Sequence, residues 1–67
     1  MNKLAVFAMA LNLKSDEKLI IKFENKPDFT GEIILSSDIK FFNERRKGAI
    51  RSVLKKINPY VTDIYIQ

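Results

Sequence analysis

Leu4-Ala5-Val6-Phe7-Ala8-Met9-Ala10-Leu11-Asn12-Leu13 decides the fold. Asn12 apart, every residue in it is apolar, and both parities are represented. A strand covered on both faces fits its length, while Ala, Met and Leu would also suit a short buried helix. The polar run Lys14-Ser15-Asp16-Glu17 closes it, and the segment after that arbitrates. In Leu19-Ile20-Ile21-Lys22-Phe23-Glu24, Leu19, Ile21 and Phe23 share one parity and Lys22 and Glu24 the other, the pattern of a half-buried strand. Two apolar runs joined by four polar residues predict a β-hairpin, so the first run is taken as a strand.

Downstream, Asn25-Lys26-Pro27-Asp28 has turn chemistry: proline presets φ, and Asn and Asp bond their own backbone. Phe29 to Leu35 is the third predicted strand, with Gly31 marking a bulge or a close approach. The period then becomes helical. Phe42, Ala49, Ile50, Val53, Leu54 and Ile57 recur on one face, centred near Val53 and Phe42. Asp38 and Glu44 are the alternative helix starts, with Ser36, Ser37, Asp38 or Asn43 supplying cap oxygens. Asn58-Pro59 stops the helix, and Val61 to Ile66 alternates as a last strand.

The expected architecture is a single α+β domain over residues 1–67, in the order β-β-β-α-β. A meander followed by a crossover through the helix gives a mixed sheet of order 4-1-2-3, with one helix on one face. Its other face is left partly apolar, which predicts a homodimer or a partner surface. Size points the same way, because a 67-residue domain buries only about 60% of its unfolded surface and needs added support. With no Cys there is no disulfide, and with no His or Cys the common metal ligands, nucleophiles and general bases are missing. The carboxylates are scattered; Asp63, within reach of a helix lysine, is the best of them. No catalytic residue, metal or cofactor is expected. Met1-Asn2-Lys3 with the following apolar run resembles the start of a signal peptide, but the run is short and its loss would remove an expected core strand. No run approaches bilayer-spanning length, and the expected setting is the cytoplasm.

Charge supplies the functional expectation. Arg45, Arg46, Lys47, Arg51, Lys55 and Lys56 fall within residues 45–56 without one acidic side chain, and the chain carries a formal +4. On a helical wheel Lys47, Arg51 and Lys55 form a stripe at i, i+4, i+8, while Arg45 and Lys56 take the other flank. Like charges at that spacing, and cations in the first turn, each cost a few tenths of a kcal/mol or more. The expected role is a non-catalytic binder whose helix engages a polyanion, nucleic acid first, through Arg45, Lys47, Arg51, Lys55 and Lys56. The alternative is a protein-interaction module that docks on an acidic surface, and a plainly solvated helix face accounts for the same charges. Partner-facing candidates are Phe41, Arg46 and Tyr60. Arg46 falls inside the apolar arc, so either the helix frays there or Arg46 lies at an interface. Phe41 is either part of a turn that caps the core together with Phe42 or an exposed anchor.

Overall fold

The computed structural model describes residues 3–25 and 29–67. Helix α1 (Lys3–Leu11) is followed by strands β1 (Lys18–Asn25) and β2 (Phe29–Ser36) and a 3-10 turn (Ser37–Phe41). Helix α2 (Glu44–Ile57), a second 3-10 turn (Asn58–Tyr60) and strand β3 (Val61–Ile66) complete the chain. The protein is α+β, as expected, but the order is α-β-β-α-β and the sheet is three-stranded, β2-β1-β3. Both pairings are antiparallel. β2 and β3 therefore run the same way on either side of β1, and the predicted order 4-1-2-3 does not form. The turn expected at 25–28 lies largely outside the described residues.

The correction concerns the first run. Three alanines, two leucines and a methionine within Lys3–Leu11 are among the best helix formers, and a strand would gain little from them. Val6, Phe7, Ala10 and Leu13 are buried at i, i+1, i+4 and i+7, whereas Ala5, Ala8 and Met9 are exposed. The helix ends by tightening: Asn12 N–H donates to the Met9 carbonyl at 3.1 Å and Leu13 N–H to that of Ala10 at 3.3 Å. The Asn12 side-chain amide also donates to the Ala8 carbonyl at 3.1 Å. Lys14 and Glu17 then close the polar turn, with the Lys14 N–H on the Glu17 carboxylate at 2.8 Å and the Glu17 N–H on the Lys14 carbonyl at 3.0 Å.

The odd residues of β1 (Leu19, Ile21, Phe23) meet Val6, Phe7 and Ala10 from α1, Leu13 just beyond it, and Leu54 and Ile57 from α2, in one core. Both helices thus lie on the same face of the sheet. Gly31 makes the close approach expected of it: a Cβ there would stand 3.2 Å from the Phe23 ring. On the far face Ile20, only 4% exposed, is flanked in register by Ile34 and Tyr65. Lys22 is flanked by Glu32 and Asp63, and its ammonium lies 5.7 Å from the Tyr65 ring centre. Asp63 therefore faces a strand lysine rather than a helix lysine. This face is thus mixed: an apolar row of Ile20, Ile34 and Tyr65, with Ile34 53% exposed, lies beside the polar row of Lys22, Glu32 and Asp63.

α2 starts at Glu44 rather than Asp38. Asn43 caps it, its side-chain oxygen accepting the Arg46 N–H at 2.8 Å. The preceding 3-10 turn is capped by Ser36, whose hydroxyl accepts the Asp38 N–H at 3.3 Å. Past Ile57 the backbone stays right-handed through Asn58 and tightens into the 3-10 turn around Pro59.

Gly48 is half-buried in α2, and a Cβ at this position would meet nothing closer than the Arg51 guanidinium at 3.9 Å. Neither packing nor conformation demands glycine there. Gly48→Ala is expected to raise stability by up to about 1 kcal/mol, read as a higher denaturant midpoint with unchanged slope.

Candidate functional site

The basic segment splits once α2 is in place. Leu54 and Ile57 point into the core, with Ile50 half-buried beside them. That direction is rotated away from the predicted centre at Val53, which is 45% exposed, and Ala49 is exposed too. The rotation carries Lys47 and Arg51 toward the body of the protein. The Arg51 guanidinium lies 5.1 Å from the Phe7 ring centre, a cation–π contact that ties α2 to α1. Lys47 is 18% exposed and approaches Glu44 at 3.9 Å. The predicted stripe Lys47–Arg51–Lys55 is therefore not a free surface, since only Lys55 in it is exposed. Arg45, Lys55 and Lys56 stand on the outward ridge of α2, with the small residues Gly48 and Ser52 between them.

Arg46 resolves its own anomaly. Its guanidinium lies 3.8 Å from the centre of the Phe42 ring, so its position in the apolar arc reflects stacking on an aromatic face and not fraying. Phe42, half-buried, covers the core beneath it. Phe41 takes no part in that cover. It is 80% exposed, with the Lys40 ammonium 5.7 Å from its ring centre. Tyr60, 41% exposed, sits past the other end of α2. A helix of 14 residues is about 20 Å long, so Phe41 and Tyr60 do not belong to one site.

Rotating α2 also opens a groove that the sequence pattern does not announce. Val53 and Ala49 form its helix wall, with Ile50 and Leu54 below. Ile33 and Leu35 of β2 form the opposite wall, and Arg46 stands in the lining. The space is about 370 Å³, and apart from Arg46 the residues around it are aliphatic. The signal was present in pieces: Arg46, Ala49 and Val53 share a helix flank at i, i+3, i+7, and Ile33 and Leu35 share a strand parity. Nothing in the sequence brings those two sets together.

The wall formed by β2 is also the edge of the sheet. Lys18 and Gln67 exchange both backbone hydrogen bonds, at 2.9 and 2.8 Å, which sets the phase of the ladder. Antiparallel pairs alternate between bonded and non-bonded positions. Even-numbered residues of β1 thus turn their backbone groups toward β3 and odd-numbered ones toward β2. In register, Leu19, Ile21 and Phe23 face Leu35, Ile33 and Gly31. The intervening residues of β2, Thr30, Glu32 and Ile34, turn their N–H and C=O groups outward to the free edge. The groove therefore lies directly beneath a row of open backbone donors and acceptors.

Compared with protein-family models, with curated proteins and with solved structures, the chain matches none of them. No helix among the described residues is long and apolar enough to cross a membrane.

Proposed function

We propose that this chain is a small non-catalytic binding protein that docks an acidic, apolar segment of another protein in the α2–β2 groove. The groove is the observation that supports it. The cleft is open to water and aliphatic, with the size and lining of a site for apolar side chains, and Arg46, its guanidinium against the Phe42 ring, sets a positive charge at its lining. Arg45 and Lys56 on the adjoining ridge add steering for a partner that carries carboxylates. A partner drawn in by charge and held by buried aliphatic contact fits this combination better than a bare phosphate backbone does.

A second reading has its own support. The exposed cations Arg45, Lys55 and Lys56 with small residues between them would admit a polyanion such as a nucleic-acid backbone, in the cytoplasm or elsewhere. Selection of displayed random peptides on the immobilised protein separates the two. Enrichment of aliphatic sequences with carboxylates is expected, and Val53→Glu is expected to remove it while the far-ultraviolet spectrum stays unchanged. Absence of enrichment, with salt-sensitive retention on duplex DNA that Arg45→Glu, Lys55→Glu and Lys56→Glu together remove, would replace the groove by the ridge.

A further inference from the structure

We infer that the edge of β2 and the groove beneath it form one strand-addition site, which takes an extended segment whose groove-facing side chains are aliphatic and whose end beside Arg46 carries a carboxylate. The inference rests on the groove reading and specifies the form of its occupant. Three features of β2 carry it. Its pairing with β1 is regular along the whole strand, from Asn25–Phe29 to Lys18–Ser36, with no bulge to twist the edge away. It contains neither lysine nor proline, the residues that usually blunt an edge, and its single charge is Glu32. Its outward backbone groups, at Thr30, Glu32 and Ile34, alternate with Ile33 and Leu35, which line the groove. β3, the other edge, is irregular by comparison, its register shifting opposite Lys22 and Phe23.

A strand laid antiparallel or parallel along β2 continues the sheet, and every second side chain then falls under α2 against Val53 and Ala49. α2 follows β2 through the turn at Ser37–Phe41 and runs back along it, so Arg46, in the first turn of α2, lies toward the Leu35 end of the groove. A carboxylate on the added strand belongs at that end. Charge also argues against a second copy of this chain as the occupant. Two copies paired through β2 would set two α2 helices, each carrying Arg45, Arg46 and Lys56, side by side over one face of the joined sheet, on molecules that each carry a formal +4.

The test uses the full chain, isotope-labelled, and a short synthetic peptide alternating valine with threonine, with a glutamate at each end so that one meets Arg46 in either strand direction. Two further versions accompany it, one with both glutamates changed to lysine and one with its edge-facing backbone nitrogens methylated. Binding of the first peptide is expected to slow hydrogen exchange at the Thr30, Glu32 and Ile34 amides, while the β3 edge is unaffected. Methylation is expected to weaken binding about tenfold or more, since it removes at least two backbone hydrogen bonds without altering a side chain. The lysine version is expected to bind several-fold more weakly, and Arg46→Ala to abolish that difference. Equal binding by the methylated peptide, still lost in Val53→Glu, would overturn strand addition and leave the groove reading standing. Failure of all three peptides to bind would overturn both. Protection of the β2 edge that grows with protein concentration in the absence of peptide would make a second copy the occupant and overturn the partner assigned here.

Discussion

Leu54→Ala is expected to destabilise the domain by about 3–4 kcal/mol, and Val53→Ala, one residue away, by less than about 1 kcal/mol. Leu54 is fully buried at the centre of the core formed by α1, β1 and α2. Removing its isobutyl group loses transfer free energy and leaves a cavity that α1 and β1, held by their own contacts, do not close. Val53 is 45% exposed on the groove wall, and alanine is the better helix former there, so most of the small loss of contact is offset. A domain of this size has a total stability of roughly 3–10 kcal/mol, so Leu54→Ala removes about a third of it or more. Urea unfolding followed by circular dichroism compares the two variants directly. Equal losses, or a larger one at Val53, would mean that α2 presents the face centred on Val53 to the sheet, and the groove would not exist.

That contrast also shows where the sequence was informative. β1 and β2 were legible because each has one face in the core and one in water, which imposes alternation on residues such as Leu19, Ile21 and Phe23 against Lys22 and Glu24. The start of α2 was left between Asp38 and Glu44, because Ser36 and Asn43 both carry cap oxygens; Ser36 caps the 3-10 turn and Asn43 the helix itself. The end of α2 followed from Pro59. What escaped was the roll of α2 about its axis. Phe42, Ala49, Ile50, Val53, Leu54 and Ile57 span a wide apolar arc, and the arc does not say which of its edges faces the sheet. A second helix settles that, because α1 occupies the space beside Arg51 and stacks Phe7 on its guanidinium. The site was invisible for the same reason. Cation counting highlighted Lys47 and Arg51, which are drawn into intramolecular contact, and passed over Ile33 and Leu35, which carry no charge.

The identity of α1 is the most consequential of these points, and Ala8 tests it from both sides. Ala8→Pro is expected to cost about 3 kcal/mol or more, whereas Ala8→Lys is expected to be nearly neutral. Ala8 is exposed and lies in the interior of Lys3–Leu11, so neither change touches the core directly. Proline removes a backbone donor and drives its ring against the preceding turn, which penalises a helix interior whatever the side chain faces. Lysine keeps the helix and places its charge in water. A strand covered on both faces would respond otherwise, because a lysine ammonium at its centre would be buried without a partner and would cost several kcal/mol. Val6, Phe7 and Ala10 hold α1 against the rest of the core, so losing the helix also uncovers Leu19, Ile21 and Leu54. Ala8→Pro is therefore expected to lower the denaturation midpoint of the whole domain in a single transition, not to fray one end. Two separate transitions, or a lysine variant as damaged as the proline variant, would remove α1 from the core and take with it the rotation of α2 that opens the groove.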